Sequence, residues 1–226
     1  MAAQTRALVS AQWLINAVRT NQVGPKLRVL DASYHLPHMN RDPKAECGPS
    51  AESVSVLDGG MRGWTAAGGP LTAESCRPER TDFRATLDRA WVKSYEEVLE
   101  NVRTRRVQVV DTRFEGRYRG TEPEFRDDVL PGHFPGAINM PFTSFLDEGG
   151  KMHGPERLSE LFREAGVDLK QPLWATCGSG VTACQVALAA HLLGHPGVCI
   201  YDGSWYEFFK KASPEFIISE WEAKKV

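Results

Sequence analysis

The sequence lacks the features that mark several specialised classes of protein. It has five cysteines in 226 residues, an odd number without a Cys-x-x-Cys pair, which argues against a disulfide framework and a zinc site. No apolar run approaches the roughly 20 residues that span a bilayer. The net charge of -2 gives no basic surplus for nucleic acid or an anionic membrane. We therefore predict a soluble globular protein of a reducing compartment, with no metal, nucleic acid or membrane as a partner.

Acidic residues are absent from the first 30 positions. The same segment carries four basic residues, Arg6, Arg19, Lys26 and Arg28. This composition is typical of a mitochondrial transit segment. However, Ser10–Val18 reads as a helix that its first residue caps, with Trp13, Leu14 and Val18 on one face, and Leu27–Ser33 reads as a strand. Because both elements fit a folded domain, we predict a cytoplasmic protein and keep a mitochondrial location as the alternative.

Short apolar segments alternate with helical patterns through the second half of the chain. The predicted strands are Val107–Asp111, Leu173–Thr176 and Val198–Asp202, and the predicted helices begin at Ser94, Gly154 and Gln185. Ser94 and Glu97 form a capping box for the first of these helices, and Gly166 and Gly194 end the other two. Strands that alternate with helices indicate a parallel α/β sheet.

The most informative segment follows the predicted strand Leu173–Thr176. Cys177 ends this strand, and Gly178 and Gly180 let a backbone approach a bound group closely. Open α/β sheets bind ligands at the carboxyl ends of their strands, and a helix N-terminus favours an anion or a thiolate there. The alternative is an ordinary buried cysteine, but the two glycines favour a nucleophile. Cys184, seven residues later, falls within the apolar helix and is predicted to pack there.

A basic segment follows the strand that ends at Asp111. It contains four arginines, Arg113, Arg117, Arg119 and Arg126, among acidic residues. By composition it is a solvated loop with weak ion pairs. Its position places it at the same sheet edge as Cys177, however, and this favours an anion-binding role. His133, in the proline-flanked segment Pro131–Asn139, is predicted to fix a turn rather than to act as a base.

Two pairs of segments repeat within the chain. Leu27–Ser33 matches Val107–Arg113, and Ser55–Trp64 matches Cys199–Trp205. The aspartates in these segments are 58 − 31 = 27 positions apart in the first half and 202 − 111 = 91 apart in the second. The first copy is therefore predicted to lack 91 − 27 = 64 residues of its interior. We predict a truncated copy at 1–65, a linker at 66–90, a complete catalytic domain at 91–218 and a tail at 219–226.

The segment Cys177–Cys184, which reads Cys-Gly-Ser-Gly-Val-Thr-Ala-Cys, resembles the rhodanese family of sulfurtransferases. Val198–Trp205 and Pro131–Asn139 match further segments of that family. The chain is most similar to its 3-mercaptopyruvate sulfurtransferase branch. The resemblance implies an α/β fold: a rhodanese-like domain with a parallel sheet flanked by helices, plus an incomplete N-terminal copy of the same unit. Full-length relatives have two such domains, and the second bears the catalytic cysteine.

The resemblance also implies a double displacement that needs no cofactor. The substrate is 3-mercaptopyruvate, whose sulfur forms a persulfide on the enzyme while pyruvate leaves. A thiol acceptor such as thioredoxin then collects the sulfur and can release hydrogen sulfide. The catalytic residues that the resemblance assigns are Cys177 and Ser179. The substrate-binding residues that it assigns are Arg117, Arg126, Gly178, Gly180, Val181 and Thr182. Arginine suits a carboxylate because its planar guanidinium binds both oxygens. We predict a monomer or a weak homodimer.

Three alternatives remain open at this point. Thiosulfate sulfurtransferases keep basic residues in the cysteine loop, whereas Gly178-Ser179-Gly180 is uncharged. A cysteine-based phosphatase needs an arginine six residues after its nucleophile, and Ala183 at that position argues strongly against this class. A shortened first domain could also leave a catalytically impaired chain that serves as a sulfur carrier or binding module. The intact cysteine loop favours an active mercaptopyruvate sulfurtransferase.

Overall fold

The computed structural model describes residues 8–20, 55–73 and 89–221. The chain divides into two compact units. The first unit takes residues 1–87 together with 148–152, and the second takes 88–147 and 153–226. The predicted strand Leu27–Ser33 and most of the predicted linker lie outside the described residues. The shortened first copy and the domain borders therefore stay predictions.

Among the residues that the structure describes, the first unit contains two short parallel strands and two helices. They are β1 (Leu8–Val9), α1 (Ala11–Arg19), β2 (Val56–Leu57) and α2 (Gly60–Ala66). Ser10 caps α1 as predicted, because its side chain accepts a hydrogen bond from the Trp13 N–H. Leu8 pairs with Val56. The repeated segment Ser55–Trp64 therefore includes a short strand and a helix.

Helix α1 buries a face that differs from the predicted one. Its buried residues are Ala11, Leu14, Ile15 and Ala17. Trp13 is 46% exposed and Val18 is 42% exposed, so the prediction was wrong for these two residues and right for Leu14. The prediction relied on the large apolar side chains of the helix, whereas the small residues Ala11 and Ala17 form part of the buried face.

Within 89–147 and 153–221, the second unit contains five strands and five α-helices. They are β3 (Val92–Lys93), α3 (Tyr95–Thr104), β4 (Gln108–Asp111), α4 (Glu115–Arg119), β5 (Ala137–Asn139), α5 (Pro155–Glu164), β6 (Leu173–Thr176), α6 (Ala183–Leu192), β7 (Val198–Tyr201) and α7 (Ser204–Lys211). Short 3-10 helices occur at Arg89–Trp91, Phe142–Phe145 and Pro214–Phe216. No helix within the three described ranges is long and apolar enough to cross a membrane.

All five strands of this unit are parallel, in the order β3-β7-β6-β4-β5. The predicted parallel α/β sheet is thereby confirmed. After β4 the chain adds β5 on one side, whereas after β6 it adds β7 on the other side. Diverging connections of this kind open a crevice at the carboxyl ends of the two strands. Asp111 pairs with Thr176 at these ends, so Thr112 and Cys177 both follow at the crevice.

Helices flank the sheet and bury its strands. On one face Val98 of α3 and Trp205 and Phe208 of α7 pack around Val109 of β4. Val110 is fully buried and points to the opposite face, since side chains alternate along a strand. Helix α6 packs against β4, β6 and β7. This burial explains why the strands are short apolar runs rather than alternating sequences.

The last described residues are bonded to the second unit. The Ser219 hydroxyl donates to the Pro131 carbonyl at 2.7 Å. Glu220, assigned from sequence to a tail, forms an exposed ion pair with Arg119 at 2.9 Å. The capping box of Ser94 and Glu97 is present at the start of α3, as predicted. Local signals at helix ends were therefore reliable in this unit.

Candidate active site

Cys177 follows β6 directly and is 2% exposed. Its backbone N–H donates to Ser204 Oγ at 3.1 Å, and its carbonyl accepts from the Trp205 N–H at 3.0 Å. Both partners lie in the first turn of α7. Helix α7 therefore binds both the N–H and the carbonyl of Cys177, and so fixes the backbone of the predicted nucleophile.

The loop after Cys177 presents a row of backbone N–H groups. Within the described part of the chain, the N–H groups of residues 178–182 have no hydrogen-bond acceptor. The loop leads into α6, whose N-terminus adds partial positive charge. Unpaired N–H groups at a helix N-terminus form a site for an anion. The structure thus brings the predicted loop residues Gly178, Ser179, Gly180, Val181 and Thr182 together around Cys177.

Two glycines in this loop allow close approaches. Gly180 has a φ of +81°, and a Cβ there would lie 2.9 Å from Asp202 Oδ1. A Cβ on Gly178 would lie 3.3 Å from Arg117 Nη2 and 3.5 Å from Tyr206 Cζ. The loop is therefore packed against Asp202 at Gly180, and it faces Arg117 and Tyr206 at Gly178.

The side chains of the loop and of the following turn are held in different ways. Thr182 Oγ1 lies 2.7 Å from Thr112 Oγ1, which follows β4 across the crevice. Ser179 is half-buried, and Val181 is 48% exposed. Cys184 is exposed, and its Sγ lies 3.6 Å from the Gly180 carbonyl oxygen. The prediction that Cys184 packs in the core was wrong, because the first turn of the apolar helix α6 borders the crevice.

Arg117 belongs to a buried network of four charged side chains. Arg113 Nη1 donates to Glu124 Oε1 at 2.8 Å, and Arg117 Nε donates to Glu124 Oε2 at 3.0 Å. Arg113 also forms an ion pair with Asp111, the last residue of β4. The two positive and two negative side chains leave the network without net charge. Arg117 is therefore held in place beside the cysteine loop by Glu124.

Arg126 reaches the same region through aromatic contacts. Its Cζ lies 4.5 Å from the centre of the Tyr206 ring, and Arg117 Cζ lies 4.1 Å from the centre of the Phe125 ring. Contacts of a guanidinium with an aromatic face orient the cation. The structure thus places both predicted arginines on the Gly178 side of the loop, Arg117 directly and Arg126 by way of Tyr206.

His133 has a structural environment. Its Nδ1 lies 2.8 Å from the Tyr118 carbonyl oxygen, and its ring stacks on the Tyr118 ring at a centroid distance of 3.8 Å. Burial lowers the pKa of His133. These contacts agree with the predicted role of His133 in fixing a turn.

Three residues of this region, Glu124, Ser204 and Tyr206, were missed in the sequence. Ser204 and Tyr206 lie at the end of, or directly after, the Val198–Trp205 segment that resembles the family, and this proximity was the available signal. Glu124 had no local signal, because a glutamate among arginines and acidic residues resembles a solvated loop. The positive φ of Ser204, 50°, is uncommon for a residue other than glycine and is visible only in the structure.

Replacing Ser204 by alanine is expected to lower the free energy of unfolding by about 1–3 kcal/mol. The buried Ser204 hydroxyl accepts from the Cys177 N–H and donates to the Tyr201 carbonyl at 2.7 Å. Alanine would leave both of these groups unpaired. Urea unfolding measures the effect, with Ser159→Ala on the exposed side of α5 as the control. A loss no larger than that of the control would contradict this role.

The profile of the rhodanese-like domain family matches residues 94–211. The 3-mercaptopyruvate sulfurtransferase of Homo sapiens is 41% identical over 288 residues, covering 97% of each chain. The thiosulfate sulfurtransferase of Cricetulus griseus is 38% identical over 291 residues, again covering 97% of each chain. Both kinds of sulfurtransferase are thus similar to this chain at nearly the same level.

Solved structures give the same fold. The 3-mercaptopyruvate sulfurtransferase SseA of Escherichia coli is 34% identical, with a TM-score of 0.60, over 68% of this chain and 57% of SseA. The Tum1 protein of Saccharomyces cerevisiae is 21% identical, with a TM-score of 0.66, over 94% of this chain and 97% of Tum1. At that identity the likeness to Tum1 bears on the fold alone.

Proposed function

Because this chain belongs to the rhodanese family and is a sulfurtransferase, we propose that it moves the sulfur of 3-mercaptopyruvate onto Cys177. The observation that carries this proposal is the row of unpaired N–H groups at residues 178–182 around Cys177. In this proposal these groups bind the second sulfur that becomes bonded to Cys177. Backbone N–H groups that await a negative charge stabilise it without reorganising.

The first half of the proposed reaction forms a persulfide. The Cys177 thiolate attacks the thiol sulfur of 3-mercaptopyruvate, an S–S bond forms, and the C–S bond breaks. The electron pair of that C–S bond passes to the departing pyruvate as its enolate. The transferred SH group loses its proton when the persulfide ionises, and the enolate carbon takes up one proton. The half-reaction therefore consumes and releases no net proton. Pyruvate leaves, and the N–H groups of the loop hold the persulfide anion.

The two arginines would hold the substrate at its other end. A carboxylate accepts two parallel hydrogen bonds from a guanidinium, and Arg117 keeps unpaired donors because Glu124 occupies one edge of it. Arg126 is exposed and stacked on Tyr206, and its N–H groups have no hydrogen-bond partner among the described residues, so they can bind a second substrate oxygen. We assign the carboxylate and keto oxygen of 3-mercaptopyruvate to these two residues.

The second half of the proposed reaction returns Cys177 to its starting state. A thiol acceptor, such as a thioredoxin, attacks the outer sulfur, and a second thiol of that acceptor then releases hydrogen sulfide. Val181 of the loop is exposed, and we propose that the acceptor thiol approaches from its side. Ser179 and Thr182 are proposed to donate hydrogen bonds within the loop during this exchange.

Thiosulfate is the second candidate substrate, since thiosulfate sulfurtransferases are similar to the chain at almost the same identity. We expect kcat/KM for 3-mercaptopyruvate to exceed that for thiosulfate by at least about tenfold. The reason is that the loop Gly178-Ser179-Gly180 carries no cation to attract a dianion. Steady-state assays with each donor and one common thiol acceptor measure the ratio. A preference for thiosulfate would contradict this assignment.

We also infer that the first rhodanese-like copy is internally shortened. The alignment with the human enzyme spans 288 residues, so at least 288 − 226 = 62 aligned positions have no residue in this chain. This minimum is close to the 64 residues that the internal repeat predicts to be missing. Every residue used in the proposed mechanism lies in the second unit.

A further inference from the structure

Tyr206 is fixed to the cysteine loop by its backbone. It is the third residue of α7, and its N–H donates to the Gly178 carbonyl at 3.2 Å. The preceding residue, Trp205, donates to the Cys177 carbonyl. Two successive N–H groups of one helix thus bind two successive carbonyls of the loop. The side chain of Tyr206 therefore has a defined position relative to Cys177.

The phenol of Tyr206 and the guanidinium of Arg117 both lie beside Gly178. A Cβ on Gly178 would lie 3.7 Å from Tyr206 Oη and 3.3 Å from Arg117 Nη2. Arg126 lies over the Tyr206 ring at 4.5 Å. One neutral and one cationic hydrogen-bond donor therefore border the space beside Gly178, and a second cation lies on the ring of Tyr206.

The Tyr206 hydroxyl is available to a ligand. Among the described residues it has no hydrogen-bond partner, although its ring is half-buried. Burial, together with the negative charge of Glu124, raises the pKa of Tyr206 above its usual value, against the opposite effect of the nearby arginines. The phenol therefore keeps its proton at neutral pH and can donate it in a hydrogen bond.

We propose that Tyr206 is a further catalytic residue, whose hydroxyl donates a hydrogen bond to the keto oxygen of 3-mercaptopyruvate. This inference rests on the proposed substrate. When the C–S bond breaks, its electron pair becomes the enolate, and negative charge develops on that oxygen. The hydrogen bond strengthens as the charge grows, so it lowers the barrier more than it favours substrate binding. Tyr206 gives up no proton, and the enolate carbon is protonated as described above.

Tyr206 would add a neutral donor to the keto oxygen beside the arginine assigned to it. Arg117 is bonded along one edge to Glu124, and Arg126 is oriented by its contact with the ring of Tyr206 itself. Tyr206 thus has two separable effects. Its hydroxyl acts on the enolate, whereas its ring orients Arg126.

The test uses single-turnover kinetics of the two half-reactions in the full chain. Tyr206→Phe keeps the ring and removes the hydroxyl. We expect the rate constant of pyruvate release from 3-mercaptopyruvate to fall at least about tenfold. Transfer of sulfur from the preformed persulfide to dithiothreitol involves no enolate, and its rate should stay within about twofold of the wild-type value.

Tyr95→Phe is the matched control, because Tyr95 packs on Phe208 of the same helix and takes no part in the site. It should change neither rate, and thermal unfolding of the three proteins verifies that all are folded. Equal pyruvate release by wild type and Tyr206→Phe would overturn the role of Tyr206 alone. Equal slowing of both half-reactions would also overturn it, since a general disturbance of the loop would then be responsible. A wild-type chain that releases no pyruvate would overturn the proposed substrate itself, and the role of Tyr206 with it.

Discussion

Glu124→Ala is expected to lower the free energy of unfolding by about 3–5 kcal/mol, the cost of removing one partner from a buried ion network. Glu124 is fully buried and pairs with both Arg113 and Arg117. Arg113 would keep Asp111 as a partner, but Arg117 would lose the carboxylate that compensates its charge. An unpaired guanidinium in a water-poor environment is costly.

The matched control for this change is Glu220→Ala, which breaks an ion pair between half-exposed side chains. Exposed pairs contribute about 0–1 kcal/mol, so this variant should differ little from wild type. Urea denaturation of both variants and the wild type measures the contrast. If Glu124→Ala were no less stable than Glu220→Ala, the network would not be the anchor of Arg117 that the structure indicates.

Cys177→Ser is expected to abolish sulfur uptake while leaving the fold intact. A serine hydroxyl does not ionise near neutral pH and cannot form the S–S bond of a persulfide. The hydrogen bonds that hold residue 177 come from its backbone N–H and carbonyl, so they survive the substitution. Intact-protein mass spectrometry after incubation with 3-mercaptopyruvate should show one added sulfur atom on the wild type, removable by dithiothreitol, and none on the variant.

Cys184→Ser provides the control for this experiment. Cys184 is exposed near the same loop and is the other cysteine through which sulfur could enter this region. Its Sγ contacts the Gly180 carbonyl oxygen, whereas the proposed persulfide is bound by N–H groups, so the variant should take up sulfur like the wild type. Uptake by Cys177→Ser, or loss of uptake in Cys184→Ser, would place the sulfur on the wrong cysteine for this mechanism.

The sequence was most informative where function depends on local pattern. A short strand, a cysteine and two glycines placed Cys177 at the carboxyl end of β6, and the structure has the strand at the predicted residues. The capping box at Ser94 and the parallel sheet were likewise readable from spacing and alternation. Each of these predictions rests on a pattern among residues close together in the chain.

The features that sequence reasoning missed depend on contacts between distant segments. Glu124 is buried in ion pairs with Arg113, after β4, and Arg117 of α4, and nothing local distinguishes it from the exposed acidic residues around it. Tyr206 faces the loop because α7 binds the carbonyls of residues 177 and 178. Cys184 was assigned to the core because α6 is apolar on all sides, so its periodicity does not reveal which turn borders the crevice.

Single-turnover release of pyruvate by the purified 226-residue chain is the most direct test of the proposed sulfurtransferase. The chain is mixed with excess 3-mercaptopyruvate in the absence of any thiol acceptor, and pyruvate is followed in time. We expect a burst of about one pyruvate per chain that Cys177→Ser lacks, since the residues of the proposed mechanism all lie in the second unit. A folded chain that gives no burst would contradict this account and would favour a non-catalytic sulfur carrier or binding module.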